Sequence, residues 1–220
     1  RTPLAAITGA ASSLTETGDT LSADARQEML QTIRVEAERM ERLVNNLLAM
    51  TRLESGGLVL KREWQPLQEV VGSALHQLQK HLQGRTVTVS VSSDFPVLID
   101  AIAIEQVLVN LLHNTLQYTP PQSPIEISAS RTENGWELRV SDCGPGFPPG
   151  TEQRVFEKFF RARPASGQAQ PGIGLGLALC RGIVEAHGGR ISAANRPDGG
   201  AEIRMVFPQT EQPPVIHSEG

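Results

Sequence analysis

Between Ser22 and Glu54 the apolar residues fall in a narrow stripe. Leu30, Ile33, Ala37, Met40, Val44 and Leu47 follow one another at spacings of 3, 4, 3, 4 and 3 residues, and Leu43 and Leu48 widen the band. Such spacing predicts a helix with a heptad seam, roughly nine turns long. Ser22 or Asp24 supplies an N-terminal cap, and Gly56-Gly57 ends the helix. Arg34, Glu38, Glu41 and Arg42 lie off the seam and read as solvated surface. Arg1–Leu14 predicts a second helix, with Pro3 early in it or inside it, where a proline would kink a turn. A polar turn over Thr15–Thr20 joins the two into a hairpin. Two hairpins make a four-helix bundle, so a homodimer is the economical way to cover the seam.

Beyond Gly57 the periodicity changes. Leu58–Arg62 alternates as a strand does, Leu67–Leu82 is an amphipathic helix, and Thr86–Val91 alternates with period two. Ala101–Gln117 is helical. Ile125–Arg131 and Trp136–Ser141 form a hairpin around Asn134-Gly135, a strong turn signal. Ile173–Ala186 returns to helix, followed by strands at Arg190–Ala194 and Ala201–Val206 joined through Asp198-Gly199-Gly200. This order predicts an α+β sandwich, with helices on one face of a mainly antiparallel sheet. The expected organisation is a helical hairpin over 1–55, an α/β domain over 56–208, and an unstructured tail over 209–220, where Pro213-Pro214 interrupt any pattern.

Composition narrows the function. The 220 residues carry 20 Lys+Arg and 24 Asp+Glu, a net charge of −4, so no basic field recruits nucleic acid or anionic lipid. Aromatic residues are 4% of the chain, too few for stacking on single strands. Two cysteines, Cys143 and Cys180, cannot staple a chain this long and suit a reducing compartment. The longest apolar run, Ile173–Cys180, falls well short of the ~20 residues of a membrane helix. With Arg1 rather than Met at its start, the chain reads as a piece of something longer.

Four segments are hard to explain as packing. Asp142-Cys143-Gly144-Pro145-Gly146 closes a strand with an acid that can accept from an exocyclic amine, beside glycines that admit a flat ligand. Gly172-Ile173-Gly174-Leu175-Gly176-Leu177 runs into a helix, whose free N–H groups and positive end suit a phosphate. Asn110 and Asn114 stand one turn apart on an apolar helix, where amides are costly unless paired; Mg²⁺ and phosphate oxygens would pair them. Phe156-Glu157-Lys158-Phe159-Phe160-Arg161 anchors two cations ahead of a Gly/Ala/Gln/Pro-rich stretch that reads as a lid. Either glycine string alone is better explained as a tight turn.

Together, and in this order, the four segments resemble the boxes of sensor histidine kinases. Glu105–Asn114 resembles their N box, Asp142–Gly146 the first glycine box, Phe156–Arg161 the F box, and Gly172–Leu177 the second glycine box. Arg1-Thr2-Pro3-Leu4 resembles the end of the H box, and the run to Leu14 is similar to the potassium-responsive branch of the family. The resemblance covers Arg1 to about Pro208.

It implies a dimerisation and phosphotransfer hairpin followed by a Bergerat-type ATP-binding sandwich. It also implies ATP and Mg²⁺ as cofactors and a response regulator as partner. The whole protein would be an inner-membrane sensor, held there only by an upstream part, with this chain on the cytoplasmic side. Residue by residue, Asp142 takes the adenine amine, Asn114 ligates Mg²⁺, Asn110 lies near the phosphates, and Tyr118 packs by the nucleotide. Gly144, Gly146, Gly172, Gly174, Leu175, Gly176 and Leu177 shape the pocket and lid. Lys158 and Arg161 neutralise the terminal phosphate, since phosphoryl transfer depends on positioning and charge. Thr2 would lie one turn after the phosphoacceptor histidine and orient the water that dephosphorylates a regulator.

Gln117 departs from the family's frequent Lys, weakening one phosphate contact, and Thr115 from its Ala. By the same resemblance, the acceptor histidine itself would sit just before Arg1. His76, His81, His113, His187 and His217 do not replace it and read as surface or satisfied-core imidazoles. Two other readings compete. An ATPase of the same superfold would carry Glu at position 110 to activate water, which Asn110 cannot do. A dimeric scaffold without transfer activity would have no use for intact glycine boxes.

Overall fold

The computed structural model describes residues 3–17, 20–161, 173–209 and 211. Thr2, Gly172, His217, and most of the lid and tail segments lie outside them. Two compact units are present, Arg1–Thr51 and Arg52–Gly220.

The first unit holds α1 (Pro3–Thr17) and most of α2 (Ala23–Glu54). Ser22 is the cap that starts α2: its hydroxyl accepts the Ala25 N–H at 3.2 Å and its carbonyl the Arg26 N–H at 3.0 Å. Pro3 is the first described residue of α1. Two expectations are corrected. The apolar surface of α2 is broader than one seam, with Met29, Ile33, Met40 and Leu43 half-buried while Leu30, Val44, Leu47 and Leu48 stay exposed. Glu38 and Arg42 are half-buried rather than solvated; burial lowers the Arg42 pKa, Glu38 opposes the shift and Arg39 adds to it.

The second unit runs β1 (Glu63–Pro66), α3 (Leu67–Gln77), β2 (Val87–Ser90), β3 (Pro96–Ile99), α4 (Ala101–Tyr118), β4 (Ile125–Thr132), β5 (Gly135–Asp142), α5 (Gly176–Ala186), β6 (Arg190–Asn195) and β7 (Ala201–Pro208). A short 3-10 turn, Arg154–Phe156, precedes α5. The main sheet has the order β2-β4-β5-β7-β6 and is antiparallel except for the β2–β4 pair. β1 and β3 make a separate antiparallel ribbon, Glu63 opposite Ile99 and Pro66 opposite Pro96.

Alternation along the strands builds the core. Ile125, Ile127, Trp136, Leu138, Val140, Ile203, Met205 and Phe207 are buried, as are Leu67 and Val71 of α3, Ile104, Leu108 and Leu112 of α4, and Leu179 and Ile183 of α5. Trp136 stacks on Phe207 with ring centroids 4.3 Å apart. The alternate position, Glu137, is also buried, and burial alone would raise its pKa. Bonds from Arg204 (2.7 Å), Arg139 (2.6 Å) and Ser130 (3.2 Å) more than offset that and hold it below the ordinary value.

The elements differ from the sequence reading in several places. Leu58–Arg62 is not a strand: Val59 is 83% exposed, and the Lys61 N–H is taken by Asp100 Oδ2 at 2.9 Å. Pairing starts only at Glu63. The helix expected to reach Leu82 stops at Gln77, and the one expected from Ile173 starts at Gly176. The short strand Pro96–Ile99 was not among the elements expected from the sequence.

His187 ties three elements together. Its Nδ1–H reaches the Ile183 carbonyl at 2.8 Å, and its Nε2 accepts the Asp100 N–H at 3.1 Å, so the neutral ring fits both roles. Burial lowers its pKa, with Arg62 acting the same way; the Ile183 bond and Asp100 oppose the shift. A folded pKa below the unfolded value of about 6.5 means the unfolded chain binds the proton first. The contribution is therefore complete above about pH 6.5 and falls away as pH drops through the folded pKa. Denaturant midpoints measured from pH 8 to pH 5 should decline, and His187→Gln should flatten part of that decline. An unchanged slope would contradict the neutral assignment.

Candidate functional site

Helix α4 is the rod on which the site is assembled. Asp100 caps it, accepting the Ala103 N–H at 3.0 Å. Asn110, Asn114 and Tyr118 recur every four residues and so project along one side. Asn110 is buried, Asn114 half-buried, and Tyr118 42% exposed. Thr119 closes the helix with its N–H on the Thr115 carbonyl, and its hydroxyl donates to the same carbonyl at 2.7 Å. Arg85 holds that end in place, donating to Thr119 Oγ1 at 2.6 Å and to the Thr119 carbonyl at 3.3 Å.

Asp142 ends β5 beside Thr119. Its Oδ1 accepts two backbone N–H groups, Gly144 at 2.9 Å and Ala201 at 3.2 Å. Both bonds fall on one oxygen, leaving Oδ2 to accept a further donor. A methyl group at Gly144 would come within 2.6 Å of Thr119 Cγ2, which is how the first glycine box is pressed against α4. Gly146 has φ +74°, and a methyl group there would meet Asn195 Oδ1 at 2.5 Å. The Asn195 amide in turn brackets Phe147, accepting its N–H at 2.6 Å and donating to its carbonyl at 2.9 Å. Both glycines are thus packed closely against protein atoms on the side where a side chain would stand.

The F box is locked to the second glycine box. Val155 and Phe156 are buried anchors, and Arg154 lies over the Phe160 ring at 4.5 Å. Phe159 has φ +63°, unusual for a bulky residue, and its N–H donates to the Gly174 carbonyl at 2.9 Å. Gly174 answers with φ +75° and leaves no room for a methyl group, which would lie 2.5 Å from the Phe160 carbonyl. Lys158 forms an ion pair with Glu54. Arg161 acts on Tyr118: burial raises the phenol pKa, and the Arg161 charge partly counters it.

Leu175 is buried, Leu177 half-buried, and α5 begins at Gly176 with no side chain capping its first turn. A methyl group at Gly176 would sit 3.8 Å from Asn110 Oδ1, so the uncapped helix end faces the N box. Cys180 Sγ, 3.7 Å from the Val107 carbonyl, continues this packing of α5 on α4. Burial pushes its thiol pKa far up, in keeping with a packing role.

The structure therefore brings Asn110, Asn114, Tyr118, Asp142, Gly144, Arg161, Gly174 and Gly176 to α4 or its immediate neighbours. Gly146 is set by β6, and Lys158 lies beside this cluster in the F box. Thr2 and Gly172 fall outside the described residues. Arg85, Thr119, Asn195, Gly200 and Glu54 were missed; of these only Gly200 had a local signal, in Gly199-Gly200. Chemically, one free carboxylate oxygen at one end and an uncapped helix terminus with cations at the other suit an amine-bearing base and its phosphates.

The family described as "Histidine kinase-, DNA gyrase B-, and HSP90-like ATPase" matches residues 99–211, and "His Kinase A (phospho-acceptor) domain" matches residues 1–56. Sensor protein KdpD of Escherichia coli is 45% identical over 215 residues, 97% of this chain but 24% of the relative. Sensor protein KdpD of Mycobacterium tuberculosis is 36% identical over 220 residues, 97% of this chain and 25% of the relative. The chain thus spans about a quarter of the length of these relatives. Among solved structures, the histidine kinase AdeS of Acinetobacter baumannii shares the fold at TM-score 0.72 and 23% identity, over 96% of this chain and 97% of that one. The mycobacterial sensor histidine kinase MprB gives TM-score 0.57 at 28% identity, over 67% of this chain and 97% of that one. Among the described residues no helix is long and apolar enough to cross a membrane. With an ATPase fold behind a phosphoacceptor-type hairpin, the chain belongs to the histidine kinase-, DNA gyrase B- and HSP90-like ATPase family, in its sensor histidine kinase branch.

Proposed function

We propose that the chain is the autokinase core of a two-component sensor, which binds Mg²⁺-ATP and serves transfer to a histidine and then to a response-regulator aspartate. The observation that carries this reading is the convergence of the N, F and both glycine boxes on α4. Identity to KdpD over nearly the whole chain favours a potassium-linked signal. The working division is a hairpin over 1–55 and a catalytic domain over 56–208. Asp142 Oδ2 takes the adenine amine, the first turn of α5 and Asn110 attend the phosphates, and Lys158 and Arg161 balance the terminal charge.

Magnesium fits the donor set. Among the described residues no cluster of three His, Cys, Asp or Glu side chains could hold a metal alone. Mg²⁺ is commonly bound through one or two protein oxygens together with substrate phosphates, and Asn114 supplies such an oxygen. When bound, the ion would neutralise phosphate charge. The half-exposed Leu30, Val44, Leu47 and Leu48 support a second copy of the chain as the partner that covers α2. Asn110 in place of a carboxylate favours transfer over hydrolysis to water.

The test is phosphate incorporation. The 220 residues should bind ATP without labelling themselves from γ-labelled ATP. Joining His-Asp-Leu ahead of Arg1 should produce acid-labile, base-stable label, with Thr2 then one turn beyond the new histidine and required for dephosphorylating a regulator. Labelling of the chain as it stands, or none after the addition, would refute the reading.

A further inference from the structure

Glu54 is the last residue of α2 and belongs to the second unit. Two devices fix it there. The Gly56 N–H returns to the Leu53 carbonyl at 3.2 Å and the Gly57 N–H to the Arg52 carbonyl at 2.9 Å, a Schellman ending with Gly56 at φ +67°. Leu53 lies against α5, where a methyl group on Gly182 would approach its Cδ1 to 2.8 Å. The turn bearing Glu54 is thereby seated on the helix whose first turn opens at the candidate phosphate site.

The Glu54 carboxylate holds the ammonium of Lys158. Lys158 immediately precedes Phe159, whose N–H is clamped to Gly174, two residues ahead of the start of α5. Lys158 is thus tied through its neighbour to the segment that leads into the uncapped end of α5. Neither partner is deeply buried, with side chains 42% and 52% exposed, so the pair is weak enough to exchange. A phosphoryl group arriving at the α5 terminus carries more charge than the carboxylate and also gains the helix end.

We propose that Glu54 is a built-in competitor for the terminal phosphate, occupying Lys158 until a triphosphate displaces it and so weakening ATP relative to ADP. The inference rests on Lys158 as a terminal-phosphate cation. A diphosphate ends one group short and leaves the pair intact, whereas a triphosphate must break it. Glu54 is in this sense a specificity-determining residue: it tempers the ATP-over-ADP ratio and touches no reacting atom.

The experiment compares Mg²⁺-ATP and Mg²⁺-ADP affinities by calorimetry in the full chain, in Glu54→Gln, in Lys158→Ala and in the double variant. Glu54→Gln should tighten ATP by about 2- to 5-fold, the range of an exposed ion pair, and leave ADP unchanged. Lys158→Ala should lower the ATP-over-ADP ratio, and adding Glu54→Gln to it should then change nothing. If Lys158→Ala lowers the ratio but Glu54→Gln does not raise it, the competitor role is overturned while the phosphate role of Lys158 stands. If Lys158→Ala leaves the ratio unchanged, the reading of Lys158 falls, and the inference with it. Weaker binding of both nucleotides in Glu54→Gln would make Glu54 a support of the site and also overturn the proposal.

Discussion

Asp142→Asn should lower ATP affinity by about 1.5–3 kcal/mol, roughly 10- to 150-fold in Kd, while the fold survives. The asymmetry of the carboxylate is the reason. Oδ1 holds the Gly144 and Ala201 N–H groups, and an asparagine oxygen can keep both bonds. Its amide nitrogen then replaces Oδ2 and presents a donor to the donor amine of adenine. Calorimetry should show the loss, and a purine triphosphate with a 6-oxo group should be rejected less strongly by the variant than by the parent. Unchanged ATP affinity would remove Asp142 from base recognition.

Gly200→Ala should be more damaging still. A methyl group there would lie 1.9 Å from the Asp142 carbonyl oxygen and 2.9 Å from Cys143 Cα, with φ at +98°. Strain at positive φ costs about 1–3 kcal/mol, and forcing main-chain atoms apart adds about 1–3 kcal/mol. The total, about 2–6 kcal/mol, should appear as a lower urea midpoint, together with loss of ATP binding as Asp142 is displaced. Gly199→Ala is the matched control. Its φ of +90° carries similar strain, yet nothing lies within 4 Å, so it should cost less and keep nucleotide affinity. Equal stability of the two variants would show that the close approach is unimportant.

What the sequence reveals and conceals follows a physical division. The stripe of α2, the Asn134-Gly135 hairpin and the alternation of β7 are local periodicities, and each maps onto an observed element. β1 and β3 are four residues each, carry Pro66 and Pro96, and gain their stability from pairing with each other, so no local pattern marks them. The site divides the same way. Asp142, Asn110 and Gly174 announce themselves because acids, amides and glycines have strong local preferences. Arg85 on Thr119 and Asn195 on Phe147 join residues 34 and 48 positions apart, and Glu54 reaches Lys158 across 104. An arginine or a glutamate is at home on any surface, so only the folded chain distinguishes these from solvated charge.

The stacking of Trp136 on Phe207 has an optical consequence. The chain has two tryptophans, Trp64 and Trp136, and one tyrosine, Tyr118, and none of its aromatic residues lies before Trp64. Intrinsic fluorescence is therefore blind to the first unit and reads the second alone, through the half-buried Trp64 and a buried Trp136 stacked on a phenyl ring. The far-ultraviolet dichroism carries α1 and α2 together with the helices of the second unit, and so reports on both. Separate melting of the first unit would appear as a dichroism transition that the fluorescence does not share, and coincident curves would mean that the two melt as one cooperative body.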